Sequence, residues 1–276
     1  MSPGEQFERE QLVLLHGFGA TPDCWEPLLP LVTDRYDVHL INLPGHLGGK
    51  QMQAQLPVTI RAIADLLESE LDQKGLSKAH IVGNSLGGYL AIELGARGRA
   101  LSVTALAPAG GWRKRTWAEL RLAPFFLRIA VMSRIGLPIR RWLMSTARRR
   151  RLALADMCEH AEMFSPQAAE KMLVGFVRCP VFFRLIWGEL RAPMMESIGV
   201  TCPLTIAWGT KDRILPITTY ADRWQSVYPE ADWRTWYGVG HVPMADAPGL
   251  VMQAINETVA RASADSRTFA TRPQAA

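Results

Sequence analysis

The stretch Ala79 to Gly88, AHIVGNSLGG, constrains the fold of this chain more than any other. A short apolar run over residues 79–82 meets Gly83-Asn84-Ser85-Leu86-Gly87, and a helix-like segment over residues 89–97 follows without a linker. The pattern is strand, sharp turn, helix. A turn this tight forces the serine backbone into a strained conformation, and the glycines flanking it remove side chains that would collide with strand and helix. The Ser85 hydroxyl is thereby lifted at a strand's C-terminal end, beside the unpaired N–H groups of a helix start.

On both sides of this turn, strand and helix patterns alternate. Residues 11–15 (QLVLL) form a short apolar strand ending in His16-Gly17-Phe18-Gly19, and residues 22–31 look helical, entered through Thr21 as N-cap. Residues 36–43 form the next strand. Over residues 58–74, Ile60, Ile63, Ala64, Leu67 and Leu71 share one helical stripe, with Gly75 as the stop. Residues 101–107 are a fourth strand. Such alternation predicts parallel strands joined by right-handed crossovers. It breaks after Gly111, where a long helical stretch is interrupted at Pro124, Gly136-Leu137-Pro138, Ser165-Pro166 and Cys179-Pro180. Strands resume at residues 203–208 and 232–237, with helices over 216–227 and 247–261. The expectation is an α/β fold, a mostly parallel sheet of six or slightly more strands flanked by helices. Its core spans residues 1–110 and 200–263, a helical cap is inserted over 111–199, and 264–276 form a flexible tail.

A chain of 276 residues suffices for one large core, and 48% hydrophobic with 21% charged residues excludes wholesale disorder. No apolar run reaches the ~18 residues a membrane span needs. The start, MSPGEQFERE, lacks the basic-then-apolar pattern of an export signal, so a cytoplasmic location is expected. Cys24, Cys158, Cys179 and Cys202 are scattered, with no C-x-x-C pair and no histidine at zinc-site spacing, which argues for reduced thiols and against a metal site. The net charge of +5 is unevenly spread: residues 112–151 hold twelve Lys or Arg against Glu119 alone. Such a block suits a solvated helix face, or contact with nucleic acid, an anionic membrane or an acidic substrate. The arginines are interleaved with Leu, Ile, Phe and Trp as in an amphipathic helix, which favours the solvated face. No nucleic-acid-binding motif accompanies them, so no nucleic acid partner is expected, whereas peripheral contact with an anionic membrane stays open.

A serine hydroxyl is a poor nucleophile at neutral pH and needs a base, itself held and charge-balanced by a third group. Both partners sit in loops that follow strands: Trp208-Gly209-Thr210-Lys211-Asp212 and Gly238-Val239-Gly240-His241-Val242. Asp212 is preferred over Asp222 and Asp232 because it alone follows a strand through a glycine turn. His241 is preferred over His16, which precedes a turn and suits structural hydrogen bonding, over His46, and over His80, which lies inside a strand.

In these motifs and their order the chain resembles the α/β-hydrolase superfamily over nearly its whole length: HGFG at His16, LPGH at Leu43, GNSLGG at Gly83, then GTKD and GHVPM. The resemblance implies a serine-nucleophile, cap-containing esterase or lipase-like member, or a C–C bond hydrolase acting on ring-cleavage products. It makes Ser85 the nucleophile, His241 the general base and then acid, and Asp212 its orienting carboxylate. The oxyanion hole would use the backbone N–H groups of Phe18 and Leu86. No cofactor is implied. Haloalkane dehalogenases and soluble epoxide hydrolases of similar shape use a carboxylate at the nucleophile position, so Ser85 argues against both. Asn42 stands where the family often has Asp. The elbow resembles that of the C–C hydrolases, but Phe18-Gly19-Ala20-Thr21 replaces their further glycines and Val242-Pro243 replaces an expected tryptophan, which leaves that activity as runner-up to ester hydrolysis, with thioesterase and amidase activities beside it; a non-catalytic binding member of the fold is the remaining alternative, disfavoured because no triad residue is missing. Ten aromatic residues of the cap, Trp112, Trp117, Phe125, Phe126, Trp142, Phe164, Phe176, Phe182, Phe183 and Trp187, are candidates for an apolar acyl pocket or for core packing. Trp112, Phe125, Trp142 and Trp187, with Val242, are the chosen substrate-binding candidates.

Overall fold

The computed structural model describes residues 9–52, 58–111, 117–181, 184–185 and 199–270. Six strands form one sheet in the order β2-β1-β3-β4-β5-β6, and every neighbouring pair is parallel. They are β1 (Glu10–Leu15), β2 (Tyr36–Ile41), β3 (Ala79–Asn84), β4 (Ala100–Leu106), β5 (Leu204–Gly209) and β6 (Asp232–Trp236). A parallel sheet is covered on both faces, so its inner strands must be apolar throughout rather than alternating. The two faces divide accordingly: Val13, Leu15, Ile81 and Ile206 join one core cluster, while Leu12, Leu14, Val82 and Ala207 join the other.

The described helices are α1 (Leu29–Val32), α2 (Ile60–Gln73), α3 (Leu86–Ala96), α4 (Trp117–Gly136), α5 (Arg140–Met144), α6 (Ala147–Ala153), α7 (Pro166–Val177), α8 (Ile217–Val227), α9 (Pro243–Asp246) and α10 (Pro248–Ala270). In α2 the stripe from Ile60 to Leu71 is buried, and the Thr59 hydroxyl accepts the Ala62 N–H as N-cap. Helices α2, α3 and α8 contribute to the first cluster, α10 to the second. Helices α4 to α7 all lie between β4 and β5 in the chain.

Two local expectations change. The helix expected over residues 22–31 is instead a 3-10 turn, Pro22–Trp25, followed by α1. Pro27 and Pro30 withdraw two N–H donors from any continuous helix there, and the Thr21 hydroxyl bonds to Asp23 Oδ2 rather than capping. At the other end α10 continues through residue 270, into the stretch expected to be a tail. No glycine or proline occurs from Leu250 to Ala270, so nothing in that sequence stops the helix, while residues 271–276 lie outside the described part.

The order β2-β1-β3 means that the chain runs outward from β1 to one edge and then returns to its other side. Ligands of open parallel sheets bind outside the strand C-termini at such a reversal. The HGFG turn after β1 and Ser85 after β3 flank it.

Packing there leaves no room for a side chain. A Cβ built on Gly83 would stand 2.0 Å from the Gly87 carbonyl oxygen, and one on Gly87 would stand 2.1 Å from that of Leu15. Backbone atoms cannot step aside as a flexible side chain can. Gly83→Ala is therefore expected to lower stability by at least ~3 kcal/mol, the range of severe overpacking. Gly249→Ala, in open space, should shift it by less than ~1 kcal/mol. Urea unfolding of the two variants is the check, and equal midpoints would refute the interlock.

Candidate active site

Ser85 occupies φ 56°, ψ −117°, a region that side chains other than glycine rarely enter. Bonds on both sides hold it there. Its N–H donates to Leu106 O (2.8 Å), and its carbonyl accepts from Ala109 N (2.9 Å) and Tyr89 N (3.1 Å). Asn84, buried at the end of β3, donates through Nδ2 to Leu106 O (3.2 Å) and to His241 O (2.9 Å). One side chain thus ties the turn to β4 and to the loop after β6.

Asp212 and His241 meet at the same sheet edge. Asp212 Oδ2 lies 2.7 Å from His241 Nδ1, and Oδ1 accepts from the N–H groups of Ile214 (2.9 Å) and Leu215 (2.7 Å). Both residues are 4% exposed. A carboxylate accepts only, so the contact places the ring proton on Nδ1 and leaves Nε2 as the basic nitrogen. His241 and Ser85 border the same cavity.

Oxyanion donors need backbone N–H groups beside Ser85. Leu86 is the first residue of α3, where N–H groups have no intrahelical acceptor. The turn carrying Phe18 abuts it: a Cβ on Gly17 would lie 3.3 Å from Ser85 Cβ. Behind this turn stands His16, whose Nε2 accepts the Leu43 N–H (3.0 Å) while Nδ1–H donates to Gly17 O (2.8 Å). Burial, with His46 close by, depresses its pKa to about 3. His46 is buried too, edge-on to the rings of His16 and Phe18, and its pKa falls to about 4. His80 bonds to Ser102 Oγ inside the sheet. These three histidines do not border the cavity.

The cavity measures about 340 Å³. Its floor is Gly17, Phe18, Ser85, His241 and Val242, and its roof comes from α4 to α7, including Phe126, Met132, Leu143, Met144, Leu152 and Met172. Of the chosen pocket candidates, Val242 borders it. Phe125 packs against Phe126 with Arg128 over its ring, and Trp142 is 57% exposed under Arg149; neither is among the bordering residues. Trp112 and Trp187 lie outside the described residues. Two further grooves border Asp23 and Lys171 and contain none of Ser85, Asp212 or His241. Among the described residues, no group of three or more His, Cys, Asp or Glu could hold a metal ion.

Sequence reasoning missed the fastening of the histidine loop. Asp246 Oδ2 accepts the Gly240 N–H (2.7 Å), and its Oδ1 accepts those of Glu159 and His160 (2.8 Å each). Val242 N–H donates to Met157 O (3.0 Å), and Glu159 pairs with Lys211 (3.0 Å) and Arg213 (2.7 Å) on the aspartate loop. Residues 157–160 of the insertion therefore hold both loops. Burial raises the Asp246 pKa, opposed by its three N–H donors. The available signal was an acidic residue shortly after His241 at a short helix's end.

Two outcomes are expected. Asp246→Ala frees three N–H groups and releases Gly240, so turnover should fall about 10²-fold from misplacement of the neighbouring imidazole, with KM for a small substrate nearly unchanged. A rise in KM alone, seen in steady-state kinetics, would contradict this. Separately, His16 and His46 are neutral when folded but take up a proton near pH 6.5 when unfolded. The unfolded chain therefore binds more protons as pH falls, and stability should decline from about pH 6.5 towards pH 4, by roughly 1.4 kcal/mol per pH unit for each histidine. His46→Phe keeps the ring contacts and should remove one share of that slope. An unchanged acid limb in thermal melts would exclude His46 as a source.

Residues 12–254 match the sequence profile of the Alpha/beta hydrolase family. The chain is 31% identical over 199 residues to a Mycobacterium tuberculosis protein named Epoxide hydrolase EphH, covering 71% of this chain and 93% of that one. Among solved structures, an esterase from Thermogutta terrifontis superposes with TM-score 0.65 at 21% identity, covering 92% of this chain and 90% of that one. A meta-cleavage product hydrolase from Pseudomonas fluorescens IP01 superposes with TM-score 0.62 at 18% identity, covering 90% and 92%. With its parallel sheet, its strained serine turn and a profile match across most of its length, the chain belongs to the alpha/beta hydrolase family.

Proposed function

We propose that this protein is a serine hydrolase that cleaves a carboxylic ester with an apolar acyl portion through an acyl-enzyme. The observation that carries the reading is the shared cavity of Ser85 and His241, with the histidine's far nitrogen held by buried Asp212. In this mechanism His241 Nε2 takes the Ser85 proton as Oγ attacks the ester carbonyl carbon. The carbonyl π electrons move to oxygen, and the N–H groups of Leu86 and Phe18 receive that charge. Collapse expels the alkoxide, which leaves with the proton from His241. Water, deprotonated by the same nitrogen, then attacks the acyl-enzyme, and Ser85 regains its proton as the acid departs. Asp212 stabilises the imidazolium at both stages without taking its proton. The apolar roof over Ser85 suits a hydrocarbon acyl chain better than a polar or charged one. The substrate partner is then a small ester, and the arginine-rich outer face of the cap is the part that meets an anionic surface or acidic head group.

The name of the M. tuberculosis relative raises epoxide opening as a second reading. Attack of a serine alkoxide on an epoxide carbon gives an alkyl ether, which has no carbonyl for water to attack in a second step. A carboxylate nucleophile gives an ester, which has one. Ser85 therefore favours ester cleavage, and the same catalytic group serves the thioester, amide and C–C alternatives.

Turnover of p-nitrophenyl esters from acetyl to octanoyl, beside diol formation from styrene oxide, separates these readings. Ester cleavage rising with chain length is expected, with loss of at least ~10³-fold in Ser85→Ala and covalent labelling of the wild type by a fluorophosphonate. Diol formation that persists in Ser85→Ala, or preference for acetyl over octanoyl, would overturn the proposal.

A further inference from the structure

Among the described residues, the helices over the cavity expose an apolar surface. On α4, Leu127, Val131 and Ile135 repeat every fourth residue and are 56%, 48% and 64% exposed. A helix stripe of this kind is ordinarily the buried one. Met132 (60%) and Leu152 (72%) are equally open, yet both border the cavity that holds Ser85, so they stand at its mouth. Trp142, 57% exposed, lies flat under Arg149 at 4.0 Å.

The charge that this stretch of chain itself brings to the surface is positive. No Asp or Glu occurs from Leu120 to Ala155. Acids from elsewhere reach Arg128, Arg140 and Arg151, through Asp156, Glu170 and Glu162. Among the described residues, Arg134, Arg148 and Arg149 have no carboxylate within ion-pair distance, and Arg134 and Arg148 are exposed.

We infer that this face docks on an anionic phospholipid surface, with the apolar stripe sunk to the acyl boundary and the arginines at the head groups. Purpose alone rests on the ester-hydrolase reading: acyl substrate would pass from the lipid between Met132 and Leu152 to Ser85. Arginine beside leucine, isoleucine and tryptophan is the composition of an interfacial helix, whose apolar face enters the membrane while the charged tips reach its phosphates. A second copy of this chain would bring like charges together. An acidic protein or nucleic acid would engage the arginines but leave the apolar stripe in water. No helix of the described residues is long and apolar enough to cross a membrane, so the contact is peripheral.

Sedimentation of the full chain with phosphatidylglycerol–phosphatidylcholine vesicles tests this. Binding is expected to these vesicles and to fall with salt, and to be at least tenfold weaker on phosphatidylcholine alone. Arg134→Gln with Arg148→Gln should weaken it about thirtyfold, and Val131→Asp with Ile135→Asp should abolish it. None of these four residues borders the cavity, so both double variants should still cleave p-nitrophenyl acetate and accept the fluorophosphonate label. Failure to bind the anionic vesicles, or equal binding to the neutral ones, would overturn the proposal. So would retention on polyglutamate that matches vesicle binding and ignores the Val131 and Ile135 changes, which would indicate an acidic protein partner. Ester cleavage is read separately: vesicle binding without it would sink the ester reading and leave the docking surface standing, and cleavage without vesicle binding would do the reverse.

Discussion

The contact of the Gly83–Gly87 turn with itself and with the end of β1 is the constraint to which the site conforms. Glycine at positions 83 and 87 lets two backbones touch, and that contact turns the chain so sharply that Ser85 must take a positive φ. Such a conformation costs on the order of 1–3 kcal/mol. The bonds from Ser85 N to Leu106 O and from Ala109 N to Ser85 O are each worth about 1 kcal/mol net, enough to offset it. The strain persists because strands on either side over-determine the turn. In return the serine hydroxyl and the first N–H of α3 are fixed relative to one another before any substrate arrives.

The electrostatics of the site follow from burial. A carboxylate with no exposed surface would ordinarily be costly, and Asp212 is kept there by two backbone N–H groups in addition to the imidazole. With three of its roughly four acceptor positions engaged, it has little freedom to rotate, and the ring it holds has little freedom to tilt. Low dielectric around the pair strengthens its attraction for a protonated His241. His16 works in the opposite sense. It must stay neutral to accept the Leu43 N–H, and its burial favours this, so an imidazole beside the Gly17-Phe18 turn shapes the site without titrating there.

Local grammar made the core of this site legible. Ser85 and Asp212 follow strands whose apolar runs are plain in the sequence, and His241 follows the mixed DWRTW strand, so residue type and position pointed to all three; the structure sets Asp212 against His241 and places Ser85 and His241 on one cavity. The sheet order was legible only as alternation, since helices fix parallel pairing but not which strand lies beside which. Contacts between distant segments were the hidden part. Asn84 is a polar residue closing an apolar strand, which marks it as unusual, yet nothing local says that its amide would reach His241 O. Asp246 sits near His241 in sequence, but its partners at Glu159 and His160 come from the insertion. The pocket lining was less legible: Val242 borders the cavity, Phe125 and Trp142 do not, Trp112 and Trp187 lie outside the described residues, and much of the roof is methionine and leucine, whose flexible or branched chains fill an irregular space without a sequence signature. Trp142 shows the ambiguity directly, since an amphipathic helix offers its large residues to either side.

The insertion carries two kinds of surface, and their placement explains how one segment can serve two ends. Around residues 157–160 it is bound to the aspartate and histidine loops by backbone hydrogen bonds and ion pairs, directional contacts that hold position closely. Across α4 the described contacts combine apolar packing of Phe126 and Ala130 with the Arg128–Asp156 ion pair (2.6 Å), and the outer stripe is exposed. Directional bonds resist sliding, while apolar packing permits small shifts without leaving donors unpaired. The roof is thus fastened at the loops that carry Asp212 and His241, whereas its exposed stripe lies on α4, so a change on the outer surface need not disturb the fastening.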